Sequence, residues 1–121
     1  MNVALRGSVA HRAGRAAEEQ VAGHYLRAGW SLVAERWRGR GGEVDLVMQQ
    51  GAELVFIEVK RARCFARAAE RVTQRQIARL FDAAAEFLAG QPLGQLTPVR
   101  FDVALVDGVG RVKVLENVLG H

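Results

Sequence analysis

Cysteine is almost absent from this 121-residue chain: Cys64 stands alone, so no internal disulfide can form and no cysteine cluster is available for zinc or iron–sulfur ligation. A lone thiol fits a reducing compartment. No apolar run approaches the ~20 residues that a membrane span requires. The opening "MNVALRGSVAHRAG" lacks the continuous apolar core of a signal peptide. A cytoplasmic protein with no membrane partner is the expectation, with residues 1–10 a candidate flexible basic arm. Histidine is scarce too. His11, His24 and His121 show no metal-ligand spacing and read as surface residues. Aromatic residues make up 7%, and Trp30 and Trp37 fit a core or its rim better than a base-stacking platform. No glycine-rich phosphate loop is present, because "RGRGG" precedes a strand rather than a helix. Repeats, linkers and low-complexity segments are missing as well.

What is there is one domain's worth of apolar residues. Half the composition is hydrophobic, enough for a single core, and the length leaves no room for a second domain of ordinary size. The formal charge of +4 and the pI near 10.2 favour anionic partners without identifying one. Apolar and small residues at Gly14, Ala17, Val21, Ala22, Tyr25 and Ala28 recur at helical spacing, which predicts a helix from about Ser8, a candidate cap, to Ala28, with Gly29 as the stop. "SLVAERW" then reads as a strand, and "EVDLVM" and "ELVFIEVK" as two strands joined through "QQGA" as a hairpin. A second helix is predicted over "VTQRQIARLFDAAAEFLAG", with Val72, Gln76, Ile77, Leu80, Phe81, Ala84 and Leu88 along one face. "VRFDVALV" and "RVKVLEN" close the chain as strands around the turn "DGVGR". The order αβββαββ predicts an α/β fold.

The stretch "GGEVDLVMQQGAELVFIEVK" carries the chemistry. Residues two apart on a strand share a face, which groups Glu43 with Asp45 and Glu58 with Lys60. A hairpin brings Asp45 and Glu58 together as two carboxylates with an amine beside them. Buried carboxylates repel one another unless a cation lies between them, and a small set of hard oxygen ligands suits Mg²⁺ or Mn²⁺. Alternating charge is also what a strand with one solvated face presents, and Glu58 with Lys60 then reads as an exposed charge pair. Against that, "LVFIEVK" is apolar at both parities before the charges begin, the pattern of a strand covered on both faces.

Asp, a hairpin, then Glu-x-Lys is the motif of the PD-(D/E)xK nuclease superfamily, and "GGEVDLV…LVFIEVK…RVTQRQ…RFDVALV" closely resembles the YraN-like family of uncharacterised bacterial proteins. The resemblance runs from about Gly14 to Val106. It implies a restriction-endonuclease-like fold of the Holliday-junction-resolvase type, a central mixed sheet of about five strands flanked by helices. It also implies a Mg²⁺- or Mn²⁺-dependent nuclease. By position it assigns Asp45 and Glu58 as metal ligands, the Val59 carbonyl as a further ligand, Lys60 as the catalytic lysine and Glu43 as an accessory acid. The first-helix glutamate of the family falls on Glu19, whereas the helical wheel puts Glu18 nearer the middle of the apolar face. Glu19 is taken, with Glu18 left open. Where the family pattern has a basic residue two places after the lysine this chain has Ala62, and where it has a lysine after "VT" this chain has Gln76, a second accessory residue that carries no charge.

Independently of any family, Arg67, Arg71, Arg75 and Arg79 follow Arg61 and Arg63 at four-residue steps. Like charges at that helical spacing cost stability, which suggests an anionic partner such as a nucleic-acid backbone; a solvated helix face is the plainer alternative. Arg100 and Asp102 read as a structural pair on the sheet. Two functions of different class remain: a metal-dependent endonuclease acting on branched or structured DNA, and a nucleic-acid-binding module that keeps the fold without cleaving. A homodimer is suggested only by analogy with junction resolvases.

Overall fold

The computed structural model describes residues 3–118, with side chains from residue 14 onward, so the side chain of His11 and the whole of His121 lie outside the described residues. In chain order the elements are helix α1 (Val3–Arg27), strands β1 (Ser31–Arg38), β2 (Glu43–Gln50) and β3 (Glu53–Arg61), helices α2 (Phe65–Glu70) and α3 (Gln74–Ala89), a short 3₁₀ turn (Gly94–Leu96), and strands β4 (Val99–Val106) and β5 (Val112–Leu115). The strands form one five-stranded sheet in the order β1-β2-β3-β4-β5, with β3 and β4 parallel and every other pair antiparallel. The architecture is the α/β mixed sheet with flanking helices that the sequence implied.

β3 is the axis of the molecule. Val55 and Ile57 face α1 and pack with Ala17, Val21, Tyr25 and Trp30, while Leu54 and Phe56 face α3 and pack with Leu80, Ala83, Ala84 and Leu88. All four β3 residues are fully buried, as the two-parity apolar run required. The β2–β3 hairpin closes through Gly51 and Ala52; Gly51 at φ +59° supplies the left-handed first position of a two-residue loop that suits strand twist. At the end of α1, Gly29 at φ +94° terminates the helix as expected.

Three sequence expectations change. The first helix begins at Val3 rather than Ser8, so residues 3–10 are helical and Ser8 is not its cap. Ala4, Leu5 and Arg6 are strong helix formers with no breaker among them. The last strand is confined to Val112–Leu115, because its pairing with β4 ends there. Finally, a separate helix, α2, precedes α3. Thr73 caps α3 in an extended conformation, its hydroxyl accepting from the Gln76 N–H while the Gln76 side chain accepts from the Thr73 N–H. That capping box divides the arginine series: Arg67 lies on α2, Arg71 is its C-cap, and only Arg75 and Arg79 share α3.

α1 is fastened to the sheet by a buried charge. Asp102 on β4 is inaccessible to solvent, and its carboxylate accepts from the Tyr25 hydroxyl, from both ends of the Arg100 guanidinium at 3.0 and 2.9 Å, and from the Asn117 N–H at 2.9 Å. Arg100 also stacks over the Trp30 ring, its Cζ 5.0 Å from the centroid. The pair is structural, as the sequence suggested. Removing one partner of such a pair strands the other. Asp102→Ala is therefore expected to destabilise the fold by about 3–5 kcal/mol, and Tyr25→Phe by about 1 kcal/mol, both measured by urea unfolding.

Candidate active site

The β2–β3 ladder ends at Leu46 paired with Ile57. The next two residues in that register, Asp45 and Glu58, are no longer held as a backbone pair. Instead, Asp45 Oδ2 accepts a hydrogen bond from the Val59 N–H at 2.7 Å, so a carboxylate takes the place of a strand partner. A strand residue's N–H and C=O leave the same edge, so the Val59 carbonyl opens on the β2 side, beside Asp45.

Alternation along β2 breaks at this point. Val44 packs on the α3 side and Leu46 on the α1 side, although the two lie only two residues apart. On β1, between the pairs Glu35–Leu46 and Trp37–Val44, Arg36 takes the left-handed conformation at φ +45°. A non-glycine residue there is strained by about 1 kcal/mol or more. The break turns the end of the ribbon so that Asp45 senses both faces of the sheet. Its charge acts on Glu58 towards α3 and on Glu18 towards α1.

Glu58 and Lys60 are neighbours on the α3 face of β3, with Lys60 Nζ 3.0 Å from Glu58 Oε1. Their side chains are only 17% and 16% exposed, which rules out a solvated charge pair. Together with Glu43, Gln76 and Arg79 they line a cleft of about 160 Å³. The Asp45 and Glu58 carboxyls are both hard to ionise where they lie. Burial and the Asp45 charge push the Glu58 carboxyl up to about 7, with Lys60 opposing them. Asp45 is raised as well, chiefly by burial, against the Val59 hydrogen bond and the Lys60 charge.

Of the two first-helix glutamates, Glu18 is the partly buried one and Glu19 the exposed one. Glu18 is 20% exposed, 3.8 Å from the Arg36 guanidinium, and raised by burial and by the Asp45 charge. Glu19 is exposed and shares with Glu18 the wall of a larger cleft of about 360 Å³ between α1 and β1. Positional matching favoured Glu19, and the helical wheel pointed to the residue that the packing selects. Glu43 is exposed and pairs with Arg38 across the β1–β2 ladder, its Oε2 3.0 Å from the guanidinium. Arg61, Arg63, Arg67, Arg71, Arg75 and Arg79 are all exposed. Arg71 donates to the Arg61 carbonyl at 3.2 Å, which draws the α2 end back to the end of β3. Cys64 is free and exposed. Arg36 had no signal in the sequence, because only its backbone conformation distinguishes it.

Among the described residues no three His, Cys, Asp or Glu side chains converge on one point. The donor set nevertheless fits a small hard cation: two desolvated carboxylates, an outward backbone carbonyl and access to water.

The fold and site thus define an α/β protein with a carboxylate pair and a lysine at the splayed end of a central hairpin. The profile of uncharacterised protein family UPF0102 matches residues 17–106, and the chain belongs to that family. It is 59% identical to a UPF0102 protein of Ruegeria pomeroyi over 119 residues, covering 98% of this chain and 97% of the relative. With a UPF0102 protein of Cereibacter sphaeroides the identity is 57% over 113 residues, covering 93% and 97%. A UPF0102 protein of Dinoroseobacter shibae is 43% identical over 113 residues, covering 93% and 84%. No helix among the described residues is long and apolar enough to cross a membrane.

The raised carboxyls have a consequence for stability. Glu58 binds its proton more tightly in the folded chain, at about 7, than at the ordinary 4.5, so its contribution is complete below 4.5 and is lost as pH rises through 7. Asp45 acts in the same direction. In metal-free buffer at about pH 8, Glu58→Gln is expected to raise the melting temperature by a few degrees, a gain that disappears near pH 4. Equal melting temperatures at both pH values would show that the pair is not under strain.

Proposed function

We propose that this protein is a metal-dependent nuclease that hydrolyses phosphodiester bonds in DNA, with branched or otherwise structured DNA as its substrate class. One observation carries the reading: Asp45 and Glu58 converge in a site where burial raises both carboxyls, and Lys60 lies 3.0 Å from Glu58. Asp45, Glu58 and the Val59 carbonyl would hold Mg²⁺ or Mn²⁺, with Glu18 as the helix residue facing the same charge cluster. Such an ion, when bound, offsets the negative charge that develops on the phosphate and makes water more acidic.

The chain's own residues have separable tasks. The Val59 N–H fixes the Asp45 carboxylate through one of its oxygens. Lys60 orients Glu58 and can donate a hydrogen bond to a phosphate oxygen or a water in the cleft. Gln76 lines the same cleft and can donate an amide N–H to phosphate. Of the exposed arginines Arg79 lines this cleft and Arg75 shares its helix, whereas Arg67 and Arg71 belong to α2, Arg63 to the loop before it, and Arg61 to the end of β3 beside α1, so they are candidate phosphate contacts in separate places rather than one ridge. The alternative is a nucleic-acid-binding module without cleavage. It draws on the fact that among the described residues no third carboxylate joins the pair and that Glu58 is already paired with Lys60.

Labelled four-way-junction, flap, single-stranded and duplex DNA, incubated with Mg²⁺ or Mn²⁺, separates the two. Under the nuclease reading the wild type cuts at least one of these, and Glu58→Ala and Lys60→Ala each reduce the rate by about 100-fold or more. Binding without cleavage across the panel, unchanged by either substitution, would leave the binding module.

A further inference from the structure

Between β1 and β2 the segment Arg38-Gly39-Arg40-Gly41-Gly42 lies flat against α3. The Gly39 N–H donates to the Gly42 carbonyl at 2.9 Å, and the Arg40 N–H donates to Glu86 Oε2 on α3 at 2.7 Å. There is no room for side chains underneath. A Cβ at Gly42 would stand 2.5 Å from the Arg79 carbonyl oxygen, and one at Gly41 would stand 2.9 Å from Asp82 Cβ. The glycines let the loop sit on the helix, so its arginines project from a fixed backbone.

Arg38 and Arg40, with Arg79 from α3, line a cleft of about 320 Å³ whose one acid is Glu43. Glu43 is already engaged, accepting from Arg38 Nε at 3.3 Å and from Arg38 Nη2 at 3.0 Å. The α3 acids nearest the loop, Asp82 and Glu86, do not line this cleft, and Glu86 is occupied by the Arg40 backbone. Among the described residues neither Arg40 nor Arg79 has a carboxylate within 4.0 Å. The cleft adjoins the one that holds Glu58 and Lys60, because both share Glu43 and Arg79. Two guanidinium groups without counter-charge, and a third oriented at the rim, are the donor set for a phosphate.

We propose that this glycine-seated loop is a phosphate-binding subsite, in which Arg40 and Arg79, together with Arg38 oriented by Glu43, hold a backbone phosphate neighbouring the one at the carboxylate cleft. The subsite deepens the nucleic-acid reading above and rests on it, though not on cleavage. The bound group is a phosphate either of an internal linkage or of a chain end.

Binding measured in EDTA, where no divalent ion is available, isolates the subsite. Dissociation constants of labelled duplex and single-stranded oligonucleotides, each with and without a terminal phosphate, are taken by fluorescence anisotropy across a salt series. Arg40→Gln and Arg79→Gln are the test variants; both residues are exposed, and unchanged melting temperatures confirm that the fold is kept. Lys113→Gln, an exposed site on β5 at the far edge of the sheet, is the reference for charge loss alone. Each arginine variant is expected to weaken binding several-fold and to reduce the slope of log K against log salt by about 0.9 on duplex and about 0.7 on single strands. A loss confined to end-phosphorylated oligonucleotides assigns the site to a terminal phosphate; a uniform loss assigns it to an internal one. Slopes that fall no further than in Lys113→Gln would overturn the subsite. Cleavage by the wild type with slopes unchanged in the arginine variants removes the subsite alone, whereas reduced slopes without any cleavage keep the subsite and remove the nuclease.

Discussion

A single hydrogen bond organises the candidate site: the Val59 N–H donating to Asp45 Oδ2 at 2.7 Å, where the β2–β3 ladder stops. A backbone donor released from a ladder must find an acceptor, and here it finds a carboxylate. That choice ties Asp45 to the strand carrying Glu58 and Lys60, and it brings two desolvated carboxylates together. Burial raises the pKa of both, and the Asp45 charge adds to the rise at Glu58.

The rest of the fold makes this arrangement tolerable. Residues 54–57 of β3 are buried on both faces by α1 and α3, and Glu58 and Lys60 follow them directly at the edge of the cleft. α1 is locked to β4 by the Tyr25–Asp102–Arg100 cluster, which fixes the helix that delivers Glu18. On the other face, the capping box starts α3 at Gln74 and sets Gln76 and Arg79 over the cleft. Strain at Arg36 accompanies the twist that turns Asp45 between the two faces.

Much of this was legible in the sequence. The two-parity apolar run of β3, the hairpin through Gly51 and the convergence of Asp45 with Glu58 all follow from strand periodicity and turn chemistry. What was not legible depends on departures from regularity. Strict alternation would have put Val44 and Leu46 on one face, and only the twisted β1–β2 ribbon with left-handed Arg36 shows that they part. The arginine series at four-residue steps looked like one helical ridge because spacing cannot reveal a break. Thr73 and Gln76 carried the capping-box signature of that break, but helical periodicity across Val72 masked it. Between the adjacent Glu18 and Glu19 the helical wheel and the positional match disagreed, and the packing of Ala17, Val21 and Tyr25 leaves Glu18 partly buried and Glu19 exposed.

A desolvated carboxylate pair beside a lysine, bordered by arginines on a loop seated by glycines and on α3, gives the adjoining clefts proposed above to hold a cation and phosphates. The cation is the central claim. Calorimetric titration of Mn²⁺ into the wild type and into Asp45→Ala tests it most directly. The account predicts saturable binding of the ion by the wild type that is lost in the variant while the fold persists. Absence of binding to the wild type, or equal binding by Asp45→Ala, would contradict it.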